Sequence, residues 1–206
     1  MAAQVVVYDI GNVLIGWQPE QAYDRMIGVS RREALFASVD LHAMNDRVDL
    51  GENFHNVLTQ TIAAHPEFGT ELEIWRDRWI DLTGPVIDHS LRLLRQLRAK
   101  GVLVLALSNF GVEAFEWAEA RYPFLREFDQ RFISGHLQLS KPDSAIYQAL
   151  EAECGVAPDR LLFTDDRADN IAAARARGWQ VHLFDGAAGW AQCLVDEGLL
   201  SEEEAA

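Results

Sequence analysis

Four short stretches carry the residue types that could do chemistry. Asp9 closes the apolar run Val5-Val6-Val7-Tyr8 and opens the turn Ile10-Gly11-Asn12. Ser108-Asn109 follows the run Val102–Leu107, Lys141-Pro142 follows Leu139-Ser140, and Asp165-Asp166 follows Leu161-Leu162-Phe163-Thr164. A β-branched run ending in a carboxylate reads as a buried parallel strand with an acid at its C-terminal end. Open α/β sheets bind ligands at that end. Together the four stretches supply a nucleophile, an anion site, a cation and metal-binding carboxylates.

Taken singly, each has a plainer reading. Asp9 alone suits an Asx-type turn ahead of Gly11, and Ser108 suits the N-cap of a following helix. Lys141 suits a solvated surface, and Asp165-Asp166 suit a helix N-terminus. The adjacent carboxylates resist that reading most, because their repulsion at a buried strand end needs a cation or donors to offset it. Asn170, four residues beyond Asp166, falls near the same helix end and is placed to orient a carboxylate or a metal-bound water.

The elements needed to position these residues are readable along the chain. Strands are expected at Val5–Tyr8, Val102–Leu107, near Arg131–Ser134, at Leu161–Thr164 and at Gln180–Phe184. Helices are expected at Ser90–Lys100, stopped by Gly101, and at Glu113–Arg121. A further helix is expected to open on Pro142 and end near Gly155, and others to cover Ala168–Arg177 and Gly189–Glu197. Alternating strands and helices imply an α/β fold with a doubly wound, Rossmann-like parallel sheet. From Gln18 to Leu82 every periodic segment is helical. Phe54, Val57, Leu58, Thr61 and Ile62 share one stripe, and Leu72, Trp75, Trp79 and Leu82 share another, up to the break at Gly84-Pro85. That stretch is too long for one crossover. The expected division is therefore a Rossmann-like core of residues 1–16 and 84–206 with a small α-helical cap, 17–83.

Composition narrows the partners. The 206 residues are 49% hydrophobic and 24% charged, as in an ordinary soluble protein, and the net charge of -14 argues against nucleic acid or an anionic membrane surface. Val102–Leu107 is far shorter than the about 20 residues of a membrane span. No basic region precedes the first apolar run, so a signal peptide is not expected. Cys154 and Cys193 lie far apart in helix-like sequence, and a reduced cytoplasmic protein is the expectation. The six histidines show no zinc-ligand spacing. Glu202-Glu203-Glu204 reads as a solvated tail.

Read in order, Val5–Leu14, Leu107-Ser108-Asn109, Ser140-Lys141-Pro142 and Phe163–Asn170 resemble the four motifs of the haloacid dehalogenase-like hydrolase superfamily. The first and fourth look most like a bacterial group that includes sugar-phosphate phosphatases such as an α-glucose-1-phosphate phosphatase. The resemblance implies a Mg²⁺-dependent phosphatase acting on a small phosphorylated molecule, as a monomer or weak homodimer. It implies that Asp9 attacks phosphorus and forms an aspartyl-phosphate. Asp9, a carbonyl at Gly11, and Asp166 would hold Mg²⁺, with Asp165 either supporting these ligands from behind or serving as an auxiliary metal carboxylate. Ser108 and Asn109 would bind phosphoryl oxygens, and Lys141 would neutralise Asp9 and the transferring group.

One position departs from the pattern. Two residues after the nucleophile these phosphatases usually carry an aspartate, which protonates the leaving oxygen and later activates water. Here that position is Gly11. General acid–base help is worth ~10²–10⁴-fold. The substrate could have a good leaving group, as an anomeric sugar phosphate does, or the cap could supply the acid from Asp46, Asp49 or His42. Two other readings use the same fold: a metal-free 2-haloacid dehalogenase working through Asp9, or a catalytically weak ligand-binding member. A carboxylate pair at Asp165-Asp166 suits a metal and would repel a haloacid, which favours the phosphatase. Trp17, just past the first motif, is the aromatic residue expected to touch substrate, whereas Trp75 and Trp79 fall on a packing stripe.

Overall fold

Alternation along the first strand divides the core in two. In the computed structural model, which describes residues 3–206, β1 (Val5–Tyr8) sends Val6 and Tyr8 into one apolar cluster and Val5 and Val7 into the other. A strand's two-residue period requires this. β4 (Leu103–Ser108) divides its side chains in the same way, with Val104 and Ala106 against Leu105 and Leu107.

β1 pairs in parallel with β4 on one side and with β6 (Leu161–Asp165) on the other. β5 (Gln130–Ile133) and β7 (Gln180–Leu183) complete a five-stranded sheet of order β5-β4-β1-β6-β7. One face is covered by α6 (Asp88–Ala99), α7 (Val112–Arg121) and α11 (Ala187–Asp196), through Leu94, Phe115 and Trp190. The other is covered by α9 (Ser144–Cys154) and α10 (Ala168–Ala176), through Tyr147 and Ile171. This is the expected doubly wound architecture. The chain leaves β1 toward β4 and later returns to β6 on β1's other side, so the C-terminal end of β1 is the switch point where such sheets hold ligands.

The helical insertion follows β2 (Ile15–Trp17) and comprises α1 (Pro19–Ile27), α2 (Val29–Ser38), α3 (Leu41–Asp49), α4 (Phe54–Ala64) and α5 (Gly69–Asp77). It returns through β3 (Thr83–Val86), which pairs antiparallel with β2, Trp17 opposite Thr83 and Ile15 opposite Val86. Gly84-Pro85, expected as a break, therefore lies inside a strand. A two-stranded ribbon has only edge strands, where proline's missing N–H is tolerated. Met1 and Ala2, which the expected division assigns to the core, lie outside the described residues.

Three other expectations change. The stripe through Leu72, Trp75, Trp79 and Leu82 is not one helix, because α5 ends at Asp77 and Trp79–Leu82 forms a 3₁₀ turn. Pro142 does not open a helix: it sits in a turn after a cis peptide bond, and α9 begins at Ser144. The acidic tail keeps Glu202 and Glu203 exposed but forms a docked helix, α12 (Glu202–Ala205). Ser201 and Glu204 form its capping box, Lys100 Nζ lies 2.8 Å from Glu204, and His89 Nε2 lies 2.7 Å from the Ala205 carbonyl. Cys154 and Cys193 are free. No helix among the described residues is long and apolar enough to cross a membrane.

Candidate active site

Three adjacent strand ends make the floor of the site. Asp9 directly follows β1, Ser108 ends β4 and Asp165 ends β6; because β1 lies between the other two strands, Asp9 sits between Ser108 and Asp165. Asp9 N–H donates to the Thr164 carbonyl at 2.9 Å. Three donors converge on its Oδ1: the Ile10 amide at 2.7 Å, Ser108 Oγ at 2.6 Å and Lys141 Nζ at 2.9 Å. Among the described residues none reaches Oδ2, which keeps that oxygen available to attack or to ligate.

Lys141 enters from the turn that follows α8 (Ser134–Leu137), and its side chain is 1% exposed. Its ammonium bridges Asp9 and Asp165, 2.7 Å from Asp165 Oδ2. Burial opposes that charge, and the two carboxylates more than offset it, holding the lysine protonated well above its usual range. Asn109 fixes the lysine's backbone from both sides: its Nδ2 donates to the Lys141 carbonyl at 2.9 Å, and the Lys141 amide donates to its Oδ1 at 2.8 Å. Asp165 has little capacity left, since Asn170 Nδ2 lies 3.0 Å from both its oxygens and the Arg167 amide lies 2.8 Å from Oδ1.

The charges do not cancel. Burial pushes the Asp9 carboxyl up to about 7, with Lys141 opposing and Asp165 adding to the rise. Asp9, Asp165 and Asp166 each present a carboxylate oxygen within 4.8 Å of the others. Three clustered carboxylates, of which one ammonium bridges two, leave an excess of negative charge on hard oxygen donors. That donor set fits a small divalent cation such as Mg²⁺. Asp166 is held by Asn12, whose Nδ2 donates to Asp166 Oδ2 at 2.9 Å and whose Oδ1 accepts from the Trp17 amide at 2.9 Å. Asn12 has φ of 53°, a conformation asparagine tolerates better than most residues.

The plainer readings of Ser108 and Lys141 do not hold, while Asp165-Asp166 do stand just before α10, with the Arg167 amide donating to Asp165 Oδ1. Ser108 caps no helix, since the N-cap of α7 is Gly111. Arg167, with no side-chain cap, precedes α10, and Lys141 is buried. Two expected roles are refined. The single hydroxyl proton of Ser108 is directed at Asp9, so donating to a phosphoryl oxygen requires the hydroxyl to turn. Asn109 lines the cavity, but its side chain is committed to Lys141.

A cavity of about 240 Å³ opens over this floor and is lined by every residue singled out from the sequence as catalytic or substrate-binding: Asp9, Ser108, Asn109, Lys141 and Trp17. Gly11 and Asp166 line it too. Asp165 lies beneath, fully buried. The roof comes from the insertion. Its aromatic side is Trp17 and Trp79, with ring centroids 5.5 Å apart, and Phe110 of the core loop after β4 stands beside Trp79 at 5.5 Å. Trp79 thus joins the wall as well as the core. Its polar side is His42, Asn45, Asp46 and Asp49 of α3. Asn12 carried no assigned role in the sequence, although an asparagine one residue past a turn glycine was a usable signal.

Residues 3–178 match the haloacid dehalogenase-like hydrolase family. Among curated relatives, a drimenol cyclase of Aspergillus calidoustus is 30% identical over 94 residues, 46% of this chain and 18% of that protein. A sesquiterpene phosphatase of Aspergillus oryzae is 30% identical over 97 residues, 47% of this chain and 50% of that protein. Each alignment therefore spans half or less of the relative. The fold is similar to that of a haloacid dehalogenase family enzyme from Bacteroides thetaiotaomicron, at a TM-score of 0.77, 20% identity, and coverage of 94% of this chain and 99% of that one. That enzyme has also been solved with magnesium and inorganic phosphate, at a TM-score of 0.72, 20% identity, and coverage of 89% and 95%. An L-2-haloacid dehalogenase from Xanthobacter autotrophicus is similar at a TM-score of 0.61, 19% identity, and coverage of 87% and 76%.

Proposed function

Since this chain belongs to the haloacid dehalogenase-like hydrolase family, we propose that it is a Mg²⁺-dependent phosphatase of a small phosphorylated metabolite, working through an aspartyl-phosphate on Asp9. The observation that carries the proposal is the charge arrangement: Asp9, Asp165 and Asp166 cluster together, and the Lys141 ammonium bridges the first two. Such a floor attracts a divalent cation and, with it, a phosphoryl group. It repels the carboxylate of a haloacid.

Asp9 Oδ2 attacks phosphorus while Oδ1 stays held by Ile10, Ser108 and Lys141. Water then hydrolyses the aspartyl-phosphate and returns the carboxylate. Lys141 offsets charge on both the nucleophile and the transferring oxygens, and phosphoryl transfer depends mainly on such positioning and stabilisation. Asp9, Asp166 and the Gly11 carbonyl would hold Mg²⁺, which when bound supplies positive charge to the phosphoryl oxygens. Asp165 acts chiefly by fixing Lys141. The organic part of the substrate lies between the aromatic and polar sides of the roof. That arrangement accommodates a sugar phosphate, and the likeness to a sesquiterpene phosphatase supports the phosphate of an apolar alcohol as a second candidate.

The test is phosphate release from a panel of sugar, aryl and prenyl phosphates, with Mg²⁺ or with chelator, by the wild type and Asp9→Asn. Expected are Mg²⁺-dependent release and a loss of about 10⁴-fold or more in the variant, the scale of removing a covalent nucleophile. Halide release from 2-haloacids without metal would overturn the reading in favour of a dehalogenase. Ligand binding with turnover of neither class would mark a non-catalytic member.

A further inference from the structure

Gly11 leaves the site without a side chain where the leaving oxygen needs a proton. A Cβ built there meets nothing within 4 Å, so the space is open. For a leaving group that needs protonation the acid comes from elsewhere, and α3 offers His42, Asp46 and Asp49 to the cavity. His42 and Asp46 are exposed, whereas Asp49, the last residue of α3, is half-buried.

Close contacts fix the end of α3 against the core. Ser134 Oγ donates to the Asp49 carbonyl at 2.6 Å and accepts from the Phe110 amide at 2.8 Å, so one hydroxyl joins α3 to the loop after β4. Gly111 in that loop has no room for a Cβ, which would run into Val48. Gly51, at φ of 93°, packs so closely that a Cβ would sit 2.6 Å from the Gly135 carbonyl. The Asp49 side chain is held by Asn45 Nδ2 at 2.8 Å. The groups facing it are Asp46 on α3, the Gly111 amide, Lys141 and Asp9. The nearby histidines of the neighbouring helices do not line the cavity: His55 of α4 packs on Phe54 and Trp117, and His136 of α8 on Phe115.

We propose that Asp49, delivered from the insertion, is the general acid and base that position 11 lacks; this rests on the phosphatase reading above. In the first step Asp9 Oδ2 bonds to phosphorus, the phosphorus–oxygen bond to the leaving group breaks, and that oxygen takes the carboxyl proton of Asp49. In the second step a water oxygen bonds to phosphorus and gives its proton to the Asp49 carboxylate. The Asp9–phosphorus bond breaks, its electron pair returns to Asp9, and phosphate leaves. Burial, reinforced by Asp46, pushes the Asp49 carboxyl up to about 7, against the Gly111 amide and Lys141. A group of that affinity both donates and accepts a proton near neutrality.

The experiment uses Asp49→Asn, Asp49→Asn with Gly11→Asp, and Asp9→Asn, on p-nitrophenyl phosphate and on an alkyl phosphate, with Mg²⁺. Circular dichroism confirms folding. Expected for Asp49→Asn is a loss of about 10²–10⁴-fold in kcat/KM on the alkyl phosphate. Phosphoenzyme formation from p-nitrophenyl phosphate, whose leaving group needs no proton, should fall less than about fivefold. Slow hydrolysis should then let labelled phosphoenzyme accumulate, and the limb of the pH profile near 7 should vanish. Gly11→Asp should return at least about tenfold of the lost alkyl activity. Equal losses on both substrates, or a raised KM with unchanged kcat, would overturn the assignment and make Asp49 a substrate contact. A wild type with no Mg²⁺-dependent phosphate release, or an Asp9→Asn variant that retains it, would instead sink the phosphatase reading itself.

Discussion

The floor and the roof of the site are built by opposite rules. On the floor, Asp9 Oδ1, Lys141, Asp165 and Asn109 sit at rigid strand ends or in tight loops, and each is fixed by two or more short bonds. The roof carries exposed His42 and Asp46, half-buried Trp17, and Asp49, whose side chain is held by Asn45. Phosphoryl transfer tolerates little displacement of its charges, so its groups belong on the sheet. Recognition of the organic part of a substrate tolerates variation and is left to helices packed above.

The contrast is open to direct attack, first at its strongest point. Replacing Lys141 by Met leaves Asp9 and Asp165 buried without their shared cation. Urea unfolding should register a loss of about 3–5 kcal/mol, while Asp46→Ala on the roof should stay within about 0.5 kcal/mol. Similar values for the two would erase the distinction. Asn12→Ala releases Asp166 without touching the nucleophile, and Mg²⁺ titration of activity should show affinity weakened by about 10–100-fold with an unchanged circular dichroism spectrum.

Titration separates floor from roof in the metal-free protein. Asp9 and Asp49 both have folded carboxyls near 7 against an ordinary 3.8, so the native state binds the extra protons between those values. Stability is therefore greatest at the acidic end of that window and is lost as pH rises through 7. In thermal melts from pH 4.5 to 7.5 in chelator the midpoint should fall as the pH rises. Asp49→Asn should remove one part of the slope and Mg²⁺ the other. A slope indifferent to both would contradict the charge arrangement. Trp17→Phe keeps an aromatic ring against Trp75 and Trp79 and should be the mildest change. It should shift KM up to about threefold and cost under about 1 kcal/mol of stability.

Legibility in the sequence follows the same division. Asp9, Ser108, Lys141 and Asp166 were readable because strand ends and their flanking residues are local patterns, and order along the chain adds the rest. The commitments of Asn109 to Lys141 and of Asn170 to Asp165 lie across different loops, so sequence supplies the residue type but not the partner. Asp49 was one of three candidates, because what distinguishes it from Asp46 and His42 is the approach of α3 to Gly111, a tertiary fact. The β2–β3 ribbon went unread because its pairing joins segments on either side of the helices, through a Gly-Pro pair that normally signals a break. The docking of the acidic tail is hidden for a similar reason, as its capping box counts only once Lys100 and His89 are in place.

That ribbon has a consequence for how the chain can vary. Because Trp17 and Thr83 are paired neighbours, the segment between them is, seen from the sheet, a closed loop whose ends meet at strand spacing. The entropy of closing such a loop grows only logarithmically with its length, by about 0.6 kcal/mol per doubling. Residues can be added to or removed from exposed turns between the helices of 18–82 at little thermodynamic expense to the sheet, provided the ribbon still zips. Selection for a new substrate can therefore act on the size of the roof, and not only on its side chains, while the registers that hold Asp9, Ser108 and Asp165 stay untouched.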